Sequence, residues 1–246
     1  MNEELYESLL LYKAELEKEC VEIEQEYYAK FGEALLALLK LKLTAAETKQ
    51  KIAYCQKMRN QGLTPNQEEM ERFAKASCTE AYFEYVSASA KKRHADRCKE
   101  GGYFLKPEES SQIRRLFRAL MKTLHPDIHP ELASNPLASS IYQHALAAYK
   151  QNSVHQIVEL YDLASMHFGE KDVEIENVEE KIAKAQEEIR EIESNKPYLF
   201  RAYLEDPDKG KAYLEDLAKQ TKEYEKFVQE LEDRLSLLLN NEIGEA

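Results

Sequence analysis

Apolar and small residues recur along the first part of the chain at Leu5, Leu9, Tyr12, Leu16, Cys20, Ile23 and Tyr27. They continue at Ala34, Leu38, Leu41, Ala45, Ile52 and Cys55, mostly in steps of three or four. This spacing draws one stripe along a helix of up to about 50 residues, with the intervening Glu and Lys solvated. A helix of that length cannot bury its stripe on itself. It must pack on another helix of the chain or on a second copy.

The run Gln61-Gly62-Leu63-Thr64-Pro65 predicts its stop. Gly62 suits a left-handed C-terminal cap, and Thr64 followed by Pro65 suits an N-cap and first helical position. A second helix is expected over about residues 65–98, with Met70, Phe73, Ala74, Cys78, Ala81, Tyr82, Tyr85 and Val86 inside and Gly101-Gly102 closing it. The last part repeats the arrangement: Ile175, Val178, Ile182, Ala185, Ile189 and Ile192, a break at Asn195-Lys196-Pro197, then an N-cap signal at Asp206-Pro207. Tyr213, Leu217, Tyr224, Val228, Leu231, Leu235 and Leu238 form the stripe of a final helix. Antiparallel coiled-coil arms and a bundle both satisfy this periodicity.

Between these blocks the pattern changes. Lys106-Pro107-Glu108-Glu109-Ser110 opens a helix with Pro and two acids in the first turn, where the helix dipole favours them. Ile113, Leu116 or Phe117, Leu120 and Leu124 fall on one face, while Arg114, Arg115, Arg118 and Lys122 occupy the others. His125-Pro126-Asp127 follows. Pro126 pushes His125 out of helical geometry, so the three side chains are expected on an exposed turn at the helix end. Further helices are expected near residues 138–150, with Ile141, Tyr142, Ala145, Ala148 and Tyr149, and near residues 154–166.

Composition agrees with an all-α chain: 246 residues with 33% charged positions, 7 Gly, 7 Pro and no Trp leave little material for a turn-rich β fold. The net charge is −12, yet residues 91–122 hold ten basic residues against four acidic ones. The partner of that basic middle is expected to be acidic. The greasiest run, residues 34–43, is interrupted by Lys40 and Lys42 and is half the ~20 residues that a membrane helix needs. The first residues lack a secretory signal, and Cys20, Cys55, Cys78 and Cys98 form no C-x-x-C pair. A cytoplasmic protein with reduced cysteines is the expectation.

From Ile113 to Asp127, with a helix ending Ala148-Tyr149 beyond the loop, the sequence resembles the J domain of DnaJ-type co-chaperones over about residues 105–163. In that family a basic second helix packs antiparallel to the third, the His-Pro-Asp tripeptide caps the hairpin, and both engage a DnaK-type ATPase and stimulate its ATP hydrolysis. The resemblance implies His125, Pro126 and Asp127 as the signature and Arg114, Arg115, Arg118 and Lys122 as basic contacts. Phe117, Leu120, Leu124, Ala145 and Tyr149 would hold the hairpin. The family's first helix is not evident before Leu105, nor are its Gly/Phe linker and zinc module. The helix over residues 65–98 is therefore expected to serve as the hairpin's wall.

The resulting organisation has an N-terminal helical hairpin or coiled-coil arm at 1–100, a J-like domain at 101–168 and a C-terminal arm at 169–246. The implied function is that of a co-chaperone and not an enzyme, with arms for a client, another protein or a second copy. The alternative is an adaptor whose J-like hairpin is only a scaffold. His125, Asp127 and His129 do not make a convincing metal or acid/base set, and His94 with Cys98 supplies only two ligands, so no metal or cofactor is expected. Lys91-Lys92-Arg93 lacks aromatic stacking partners and reads as a solvated helix end, with no nucleic acid bound. No phosphate-loop, dinucleotide or hydrolase-elbow motif occurs.

Overall fold

A computed structural model describes residues 2–101, 105–168 and 177–240, without the side chains of residues 3 and 99–101. Among the described residues the fold is all-α, with ten α-helices and no strand. They are α1 (Asn2–Asn60), α2 (Gln67–Ser77), α3 (Thr79–Gly101), α4 (Pro107–Leu124), α5 (Pro130–Ala133) and α6 (Pro136–Lys150). The rest are α7 (Val154–His167), α8 (Val178–Ser194), α9 (Arg201–Glu205) and α10 (Pro207–Asn240), with a 3₁₀ turn at Tyr198–Phe200 before α9. No described helix is long and apolar enough to cross a membrane.

The chain divides into two units, and both are discontinuous in sequence: residues 1–24 with 101–201, and residues 25–100 with 202–246. Three consecutive blocks were expected, but the first 24 residues and residues 169–201 group with the middle, while the rest of the expected N-terminal arm groups with residues 202–246. The physical reason is the length of α1, whose first turns bury their apolar face in a different core from its later ones.

In the first unit, α4, α6 and α7 pack around Ile113, Phe117, Leu120, Ile141, Tyr149 and Ile157. The wall of this core comes from Tyr6, Leu10 and Ala14 of α1 and Ala185 of α8, not from the helix beginning near Pro65. The start of the α1 stripe is also shifted by one residue. Tyr6 is buried at 2% exposure while Leu5 stays 47% exposed. From Leu16 onward, Leu16, Cys20, Ile23, Tyr27, Leu38, Ala45, Ile52 and Cys55 are buried as the spacing predicts. Asn152 takes a left-handed conformation (φ 58°) at the end of α6, where the Asn152 and Ser153 N–H groups donate to the Tyr149 and Ala148 carbonyls.

In the second unit, Ala45 and Ile52 of α1 pack on Val228 and Leu231 of α10, and Cys55 and Tyr54 pack on Met70 of α2. Gly62 ends α1 at φ +69° as its sequence position predicts. The next N-cap is Asn66, whose side chain accepts from the Glu69 N–H at 3.0 Å, so it lies two residues beyond Thr64. The helix expected over residues 65–98 is broken at Cys78. The inner seam of α3 then follows Ala81, Tyr85, Ala88 and Ala95, and Tyr82, Phe83 and Val86 face outward. The Asp206 carboxylate caps α10 by accepting from the Asp208 and Lys209 N–H groups, which holds its pKa below the usual carboxylate range. The expected roles of Gly102 and Ile175 lie outside the described residues.

Candidate partner-docking site

The sequence Lys106-Pro107-Glu108-Glu109 starts α4 as its composition predicts, with the Glu109 carboxylate accepting from the Lys106 N–H at 2.9 Å. Ile113, Leu116, Phe117, Leu120, Met121 and Leu124 are buried along one side of this helix. Arg114, Arg115, Arg118 and Lys122 are exposed along the other. The Arg114 guanidinium donates to the Ser110 carbonyl and hydroxyl, both at 3.1 Å. Among the described residues no ion pair neutralises Arg115, Arg118 or Lys122. A rigid helix therefore carries an uncommitted cationic stripe, suited to carboxylates of another protein.

The helix ends where Pro126 requires it. His125 leaves helical geometry at φ −62°, ψ 125°, and its N–H still closes the last turn on the Met121 carbonyl. Its carbonyl accepts from the N–H groups of Ile128 and His129, at 3.0 and 2.8 Å, so the tripeptide forms a tight turn.

The three side chains do not share one environment, which corrects the expectation of an exposed turn. Asp127 is exposed and Pro126 half-buried, but His125 retains only 7% exposure. Its ring meets the edge of Tyr142 of α6 at 5.3 Å between centroids and 83° between planes. Its Nδ1 accepts from the Asp127 N–H at 3.2 Å, which requires that nitrogen to be unprotonated. Burial lowers the His125 pKa to about 4, the Lys13 and Lys181 charges push the same way, and the Asp127 carboxylate opposes them. His125 therefore acts as a neutral pivot of the turn. His129 is buried beside it, with Nε2 donating to the Lys122 carbonyl at 3.0 Å.

Two contacts had no local sequence signal. The buried Tyr6 hydroxyl donates to Asp127 Oδ2 at 2.8 Å across 121 residues, and Lys181 Nζ donates to the Asp127 carbonyl at 2.7 Å. The stripe read from the spacing passes through Leu5 and not Tyr6, and Lys181 falls among the solvated positions of its helix, so neither residue is marked as a partner of the tripeptide.

Other candidates fall elsewhere. Lys92 pairs with Asp96 and lays its stem over Gly32, where an added Cβ would lie 2.5 Å from Lys92 Cδ; Lys91 sits over the Tyr28 ring at 5.7 Å. The Lys91-Lys92-Arg93 run is thus partly packed, not wholly solvated. Among the described residues no group of three or more His, Cys, Asp or Glu is arranged to hold a metal ion. Cys20, Cys55 and Cys78 are buried free thiols, and Cys98 is half-buried. Compared with protein-family models, curated proteins and solved structures, the chain matches none.

Proposed function

We propose that the chain is a J-domain-type co-chaperone whose first unit engages a DnaK-type chaperone ATPase and stimulates its ATP hydrolysis. The long helices of the second unit bind a client, another protein or a second copy. The observation that carries this reading is the exposed Arg115, Arg118 and Lys122 stripe leading into a turn that presents Asp127. In a chain of net charge −12, such a local cationic face favours an acidic protein surface over a polyanion. The protein is read as a binding partner without catalysis of its own, in the cytosol, where free thiols such as its four cysteines persist.

The test is single-turnover ATP hydrolysis by a DnaK-type ATPase with the full chain added. Stimulation by the wild type, weakened stimulation with a raised half-saturating concentration in Asp127→Asn, and its loss in the Arg115→Glu/Arg118→Glu double variant are expected. Unchanged hydrolysis with the wild type, or full stimulation retained in both variants, defeats the reading.

The burial of His125 favours a second reading, in which the hairpin is only a scaffold and the protein is an adaptor. That reading predicts partner binding without any change in ATP turnover.

A further inference from the structure

Asp127 is exposed, yet its three polar groups are fixed from three directions. Its N–H donates to the buried His125 ring, its carbonyl accepts from Lys181 of α8, and Oδ2 accepts from Tyr6 of α1. Tyr6 is itself immobilised in the core with Leu10, Ile128 and Met121 among its buried companions. Its hydroxyl position is therefore set by packing and not by the loop.

We propose that Tyr6 and Lys181 are positioning residues that hold the Asp127 carboxylate in its partner-binding orientation. This rests on the co-chaperone reading and extends it to residues outside the helical hairpin. The arrangement orients the carboxylate without consuming it. A carboxylate has about four acceptor sites, Tyr6 occupies one, and Lys181 is spent on the backbone carbonyl. Oδ1 remains available for a cationic or N–H donor of the partner. A carboxylate already held in one rotamer loses less freedom on binding, which lowers the concentration needed for complex formation. Burial and the adjacent carboxylate both raise the Tyr6 pKa, so the phenol remains a donor at physiological pH.

The experiment titrates the full chain into the DnaK-type ATPase and separates half-saturating concentration from maximal rate. Tyr6→Phe and Lys181→Met are each expected to raise the half-saturating concentration about three- to tenfold, corresponding to roughly 0.6–1.4 kcal/mol, with the maximal rate retained. Lys181→Arg restores the donor and the wild-type value. In an Asp127→Asn background, Tyr6→Phe is expected to have no further effect on that concentration, an outcome that a general loss of packing does not produce. Absence of stimulation by the wild type overturns the co-chaperone reading and this inference with it. Stimulation by the wild type with unchanged half-saturation in both Tyr6→Phe and Lys181→Met, or effects simply additive with Asp127→Asn, overturns the positioning role alone.

Discussion

The ring of Phe117 on α4 lies parallel to that of Tyr149 on α6, 3.9 Å between centroids and 3° between planes. Lys18 Nζ sits 4.6 Å from the centroid of the Tyr149 ring, and burial lowers the Lys18 pKa. The stack joins the two helices behind the cationic stripe, and both rings have almost no exposure. Phe117→Ala is expected to cost about 3–5 kcal/mol by opening a cavity, and Phe117→Leu less than half of that. Urea unfolding followed by circular dichroism measures both; a cost below about 1 kcal/mol for the alanine variant would contradict this packing.

The buried neutral His125 gives stability a defined pH window. Its folded pKa is about 4 against an ordinary 6.5. Above pH 6.5 neither state binds the proton, so the contribution is complete. As pH falls below 6.5 the unfolded chain takes it up and the folded chain does not, and stability is lost until about pH 4. Between pH 7 and 5 the loss assigned to this group is about 2 kcal/mol. His125→Gln removes that part of the slope; identical slopes in the variant and the wild type would exclude it.

Asn152 combines a left-handed backbone with a buried Oδ1 that has no hydrogen-bond partner, while its Nδ2 reaches Glu22 at 3.4 Å. Glycine tolerates that backbone and removes the orphan oxygen. Asn152→Gly is expected to raise stability by about 0.5–1 kcal/mol and Asn152→Ala to lower it, since alanine keeps the left-handed strain. A thermal melt of each variant reports the sign.

The four thiols differ in accessibility. Cys98 is half-buried with its Sγ 3.7 Å from His94 Nε2, whereas burial raises the pKa values of Cys20 and Cys78 and encloses Cys55. A chromogenic disulfide reagent is expected to modify one thiol rapidly in the native protein, Cys98, and the other three only on unfolding. Rapid loss of more than one thiol under native conditions contradicts this burial.

Local signals carried most of the helix pattern. Gly62, Pro107, Pro126 and Asp206 each sit where their backbone chemistry ends or begins a helix, and Leu217, Val228 and Leu231 of the α10 stripe are buried as its spacing predicts, with Tyr224 half-buried between them. The departures occur where a local pattern fits two faces equally. In the first turns of α1, Leu5 and Tyr6 are adjacent apolar residues, and only the core of α4 and α6 selects Tyr6. In α3, Tyr82, Phe83 and Val86 are more apolar than Ala88 and Ala95, but the seam takes the alanines because small side chains permit close helix approach. The burial of His125 was illegible for a related reason. Its cover comes from Tyr142 of α6, while the contacts holding Asp127 come from residues 121 positions before it and 54 after it.

Because the first unit is assembled from residues 1–24 and 101–201, the segment bearing the tripeptide is not a transferable cassette. A gene fragment cut to residues 101–168 keeps every arginine of the stripe and leaves behind Tyr6, Leu10, Ala14, Lys181 and Ala185. Grafting it onto another protein therefore exports the charges without their scaffold. A transfer of this unit to another protein has to carry residues 1–24 and 169–201 along with the hairpin.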